Sequence, residues 1–174
     1  MPKVYSHSVN YATHLMTLAL GIDPGTATTG YGLVRLARDE SLEAVKFGVI
    51  TTGAGLAAHE RLLMLYRELK PILKKYKPDS VAVEKLFFSR NISTAIAVGQ
   101  ARGVVMLAIA EAGLDVGEYT PNEVKQAVAG YGSAQKRQVQ EMVRTLLLLP
   151  EIPQPDDAAD ALAIAITHLH TKKY

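Results

Sequence analysis

Cysteine is absent from the 174 residues. Its absence excludes disulfides, thiolate zinc sites and a cysteine nucleophile, and agrees with a reducing cytoplasm. An excess of one charge sign is also lacking: 19 Lys and Arg face 17 Asp and Glu, a net of +2. Any contact with nucleic acid therefore needs a local basic face, because the overall balance supplies none. Long uncharged apolar runs are missing too. The longest apolar stretch, Ile92 to Ala110, carries Gln100, Arg102 and two glycines, which argues against a membrane span. Met1 to Leu15 has no periodicity and no apolar centre of the kind a signal peptide requires. This segment reads as a disordered or non-native extension, leaving one domain over residues 16–171. What is present, 48% apolar and 21% charged residues, is the composition of a soluble globular domain with a sizeable core.

The stretch from Leu18 to Leu33 holds the most information. An apolar strand runs into Asp23, then a turn with Pro24, Gly25 and Gly30, then a second strand, which predicts a hairpin. A carboxylate inside a hydrophobic run is costly to bury unless a positive group neutralises it. No lysine or arginine lies nearby in sequence, so a metal or a phosphate–metal complex is the natural candidate.

Alternation and β-branching predict strands near Leu18–Ile22, Gly30–Leu36 and Lys46–Thr51. An amphipathic helical stripe from Leu62 to Tyr76 follows, with an expected kink at Pro71 and a stop at Lys77-Pro78-Asp79. Ser80–Val83 is a short buried strand ending at Glu84. Asn91 to Ala112 is helical and stopped by Gly113, and Leu114–Tyr119 is a fifth strand. Thr120-Pro-Asn-Glu123 has the form of a capping box with proline at the first helical position. Gly130 to Gly132 breaks that helix, and Ser133 is expected to cap the next. A proline-rich connector leads to a last alanine-rich helix from Asp156 to His168. The layout is a mixed-sheet α/β domain.

Asp23 and Glu84 stand at strand ends, while Asp156, Asp157 and Asp160 open the last helix. Residues three or four apart share a helix face, so Asp160 can pair with either Asp156 or Asp157, and spacing does not choose between them. Asp156, directly after Pro155, suits a cap or a partner for the helix dipole. Together these carboxylates are hard oxygen ligands suited to Mg²⁺ or Mn²⁺ bound with substrate phosphates. His168 and His170, late on the last helix, are expected at the surface.

Several motifs resemble the bacterial RuvC Holliday-junction resolvases: Leu20-Gly-Ile-Asp-Pro-Gly25, Thr29-Gly-Tyr-Gly32, Val83-Glu-Lys-Leu-Phe87, Gly99-Gln-Ala-Arg-Gly103, Val124-Lys-Gln126, Gly132-Ser-Ala-Gln-Lys136 and Asp157 to His168. The likeness runs from Met16 to His170. It implies an RNase H-like fold, a mixed five-stranded sheet flanked by helices. It further implies a cytoplasmic homodimer that resolves four-way DNA junctions in recombination and repair, by paired metal-dependent hydrolysis on two strands. By position, the implied catalytic and metal-binding tetrad is Asp23, Glu84, Asp157 and Asp160, with two Mg²⁺ or Mn²⁺ ions per site. Asp156 is then the extra carboxylate. Lys125 and Lys136 match basic residues near the site, Arg90 and Arg137 are candidate helpers on DNA, and Phe87 is the expected junction wedge, with Phe88 in the core. A hexameric branch-migration motor and its junction-binding subunit are the implied partners. Sugar kinases and actin-like ATPases share a strand–Asp–Gly–Thr loop, but they need two such domains around a nucleotide. A junction-binding protein without activity would have no use for the whole acidic set.

The helix from Asn91 adds a stripe of Ala95, Gly99 and Gly103 beside Val98, Val105, Met106 and Ile109. A helix apolar nearly all round must be covered on both sides, and a twofold interface does this economically.

Overall fold

The computed structural model describes residues 16–85 and 92–172. Phe87, Phe88 and Arg90 lie outside that set. The chain runs β1 (Thr17–Asp23), β2 (Thr28–Leu36), β3 (Leu42–Thr51), α1 (Ala58–Tyr76), β4 (Ser80–Glu84), α2 (Ile92–Glu111), β5 (Val116–Tyr119), α3 (Pro121–Ala129), α4 (Lys136–Leu146) and α5 (Asp156–Thr171). The five strands form one sheet in the order β3-β2-β1-β4-β5. The first three are an antiparallel meander, whereas β4 pairs parallel to β1, and β5 parallel to β4. This is the expected mixed five-stranded sheet.

Successive side chains of a strand point to opposite faces. Accordingly Leu20 and Ile22 of β1 pack with Leu65, Leu69, Val105 and Ile109 of α1 and α2. Ala19 faces the other way, into a cluster built with α3, α4 and α5. The central strand is buried on both faces, which explains its unbroken apolar run.

Helix α5 lies unusually close to the sheet. A Cβ added to Gly21 would stand 2.0 Å from the Ala161 carbonyl oxygen, and one added to Gly30 1.9 Å from that of Asp157. Here glycine serves backbone-to-backbone approach. Gly30, named with the turn and also as the first residue of the expected second strand, lies within β2 and pairs with Asp23.

Other departures are local. Strand β3 begins at Leu42, four residues before its expected start, and pairs with β2 through an irregularity between Leu33 and Val34. Helix α1 continues through Pro71. The predicted box at Thr120 is present: its hydroxyl accepts from the Glu123 N–H, and Glu123 returns a carboxylate to the Thr120 N–H. The cap of α4 is Gln135 and not Ser133, because Ser133 is spent in the turn after Gly132. The Gln135 N–H instead donates to the Gln138 side chain. Helix α2 is long and apolar enough to cross a membrane by length and composition alone, although Arg102 interrupts it as the sequence indicates. In this fold its buried side packs against α1 and the sheet, and Arg102 pairs with Glu118 of β5.

Candidate active site

Strands β1 and β4 are parallel neighbours, so their last residues, Asp23 and Glu84, reach the same edge of the sheet. The close approach of α5 at Gly30 brings Asp157 beside that edge, and one helical turn on comes Asp160. Lys125 of α3 and Lys136 of α4 close the opposite side. Asp23, Glu84, Asp160, Lys125 and Lys136 together line a cleft of about 260 Å³, backed by Val124, Val139 and Ile164.

The electrostatics follow from that geometry. Burial, then the charges of Glu84, Asp160 and Asp157, push the Asp23 carboxyl up to about 7, against a smaller opposing pull from Lys136. Burial and Asp160 also raise Glu84, with Lys125 and Lys136 opposing. Asp160 is raised by burial while Lys136 restrains it. These are carboxylates that resist being charged together, the state a divalent cation relieves.

Lys136 stands near the site as the resemblance implies, but its partners there are carboxylates. The Lys136 ammonium lies 3.0 Å from Asp160 Oδ2 and 3.1 Å from Asp156 Oδ2. The neutralising charge absent near Asp23 in sequence thus arrives from a distant helix. Asp156 does not cap α5: Pro155 holds that position, and Asp156 is the first helical residue. Its side chain is 54% exposed, and its carboxyl is held below the usual range by the hydrogen bonds from Lys136 and Gln140.

The donor set fits a divalent ion in chemistry, being hard oxygens that are partly desolvated and mutually repelling. Among the described residues, however, no three His, Cys, Asp or Glu side chains are gathered tightly enough to hold an ion as they stand. Asp160 is already engaged with Lys136.

The family model of crossover junction endodeoxyribonuclease RuvC matches residues 19–168. The chain belongs to the RuvC family. The RuvC of Chloroflexus aurantiacus is 59% identical over 153 residues, spanning 88% of this chain and 93% of that one. Thermus thermophilus RuvC, solved in complex with a Holliday junction substrate, superposes with a TM-score of 0.84 at 40% identity, over 88% of this chain and 93% of that one. The yeast mitochondrial Holliday junction resolvase Ydc2 shares the fold, with a TM-score of 0.63 at 15% identity over 88% of this chain and 79% of that one.

The matched span, 19–168, contains Asp23, Glu84, Lys125, Lys136, Asp157 and Asp160. Arg137 lies away from the cleft lining, paired with Glu141 at 3.2 Å on the exposed side of α4. Two residues take places the sequence did not announce. His168, expected at the surface, is 3% exposed: its ring nitrogens meet the Tyr119 hydroxyl and Ser80 Oγ, each at 2.9 Å. It is buried because α5 is covered along almost its whole length by the sheet and α3. His170 is exposed, as expected. Gln140, buried on α4, donates to Asp156 Oδ1 at 3.0 Å. The signal for it was a polar residue four positions after Lys136, inside the apolar stripe of Val139 and Val143.

Proposed function

We propose that this chain is a structure-specific endonuclease that resolves four-way DNA junctions by metal-dependent phosphodiester hydrolysis on two strands. The observation that carries the reading is the convergence of Asp23, Glu84 and Asp160 with two lysines in one cleft, within a chain of the RuvC family. RuvC nucleases depend on divalent metals in general. In this reading Asp23, Glu84, Asp157 and Asp160 hold two Mg²⁺ or Mn²⁺ ions. When bound, the ions supply an activated water and stabilise the leaving oxygen.

The chain's own groups do the rest. Asp23, more deeply buried than Glu84 or Asp160, stands at the centre of the site. Lys125 and Lys136 hold the phosphate over the carboxylates, and such contacts position the duplex without reading its sequence. Val124, Val139 and Ile164 form an apolar wall behind it. Arg90 and Arg137 are assigned to flanking phosphates, and the Phe87 ring to stacking at the junction centre.

Two scissile strands call for two sites. We assign the second to another copy of this chain, paired through α2, where Ile96 is 58% and Leu107 55% exposed and the space around Gly103 is open. A hexameric branch-migration motor with its junction-binding subunit is the assigned partner, the cytoplasm the compartment, and residues 16–171 the nuclease domain, with 1–15 outside it.

Incubation of a synthetic mobile junction with Mg²⁺ or Mn²⁺, mapping nicks on every strand, tests this reading. Paired nicks on opposing strands, lost in EDTA, are expected; binding without nicks in either metal overturns it.

A further inference from the structure

We infer that Asp156 is a positioning residue that tunes the divalent-metal affinity of this site by sharing Lys136 with Asp160. The inference rests on the metal-binding reading above.

Lys136 is the first residue of α4, the positive end of the helix dipole, where a cation is disfavoured. Its ammonium is held there by two carboxylates at nearly equal distance, 3.0 Å to Asp160 and 3.1 Å to Asp156. The two acids differ in what else they do. Asp160 lines the cleft and raises the carboxyl of Asp23, whereas Asp156 does neither. Asp156 is also fixed from behind, since its other oxygen accepts from the buried Gln140 amide at 3.0 Å. Gln140, Asp156, Lys136 and Asp160 thus form one chain of contacts that ends at the metal site.

A cation ligated by Asp160 competes with Lys136 for the same oxygens, because two positive groups at one carboxylate repel. Without Asp156, a displaced ammonium would lose its only described carboxylate partner. With Asp156 held in place by Gln140, Lys136 keeps a full ion pair after Asp160 is released. Entry of the metal then requires a short shift of the lysine and no unpaired charge. Asp156 acts through Lys136 and touches neither metal nor phosphate.

A double-mutant cycle read by calorimetric titration of Mn²⁺ into the metal-free protein, without DNA, tests this. Asp156→Asn keeps the shape and the hydrogen bond from Gln140 but not the charge. It is expected to weaken the first Mn²⁺ affinity about three- to fivefold, the upper part of the range of an exposed ion pair. Lys136→Gln is expected to tighten it. In the Lys136→Gln background, Asp156→Asn should change the affinity less than about twofold. An equal loss in both backgrounds would mean that Asp156 acts by its charge through space, and overturns the inference while leaving the metal site standing. No loss on Asp156→Asn in the otherwise native protein also overturns it. A native protein that takes up no Mn²⁺ overturns the metal reading and the inference with it.

Discussion

At the scale of single residues, Asp23 dominates. Its folded-state value of about 7 lies above the ordinary 3.8. A carboxyl raised on folding contributes stability below its unfolded value, and that contribution is lost as pH rises through the folded value. In the metal-free protein, Asp23→Asn should therefore be close to neutral at pH 4 and increasingly stabilising toward pH 8, by on the order of 2–4 kcal/mol. His168 runs the other way. Burial holds it at about 4, below its ordinary 6.5, so the stability it supports is lost as pH falls through that window. Comparing the urea midpoints of native and Asp23→Asn protein at each pH in EDTA cancels the His168 contribution; a difference that does not grow with pH contradicts the account. The same substitution should abolish junction cleavage while binding persists. Asp157 and Asp156 make a second residue-scale test. Asp157→Asn should be inactive, since that residue stands beside Gly30 and contributes to the field on Asp23. Asp156→Asn should cleave normally at saturating metal. The reverse pattern in single-turnover rates would exchange their assignments.

At the scale of elements, the site depends on how α5 meets β1 and β2. The alanines of α5 and the glycines of the two strands are complementary: small residues on both sides let helix backbone and sheet backbone approach. Gly30→Ala should be severe, because its Cβ would collide with the Asp157 carbonyl, which is backbone and cannot rotate away. A loss of at least about 2 kcal/mol is expected from such overpacking. Cleavage should fall further than stability alone explains, as Asp157 and Asp160 move off together. Thermal melts and rates measured below the melting transition separate the two effects. Full activity in a folded Gly30→Ala protein would show that α5 need not sit so close.

At the scale of the whole molecule, α2 is the element left incomplete. One side packs on α1 and the sheet, while Ile96 and Leu107 remain exposed on the other. These are the side chains that the proposed pairing through α2 would cover. For the α2-paired dimer proposed above, native protein should sediment as a dimer and Leu107→Glu as a monomer that no longer makes paired nicks, while the melting temperature of the monomer stays defined. A dimer that survives Leu107→Glu places the interface elsewhere.

The strand–carboxylate pattern, the capping box at Thr120, the element order and the family motifs were all legible in the chain. Each is local: the apolar run of β1 and the ends at Asp23 and Glu84 are set by near neighbours in sequence. What the chain did not disclose depends on contacts between distant residues. Gly30 was legible as the start of a strand, but its role in admitting the backbone of Asp157 involves a segment over a hundred positions away. His168 looked exposed because only the assembled sheet brings Ser80 and Tyr119 to its ring. Lys136 was legible as a basic residue near the site, but its pairing with Asp156 and Asp160 exists only once α4 and α5 are packed. Local periodicity determines which elements form and which faces are apolar. The partner each polar side chain finds is decided by tertiary packing, because buried charge and hydrogen-bonding groups are satisfied across elements rather than along them.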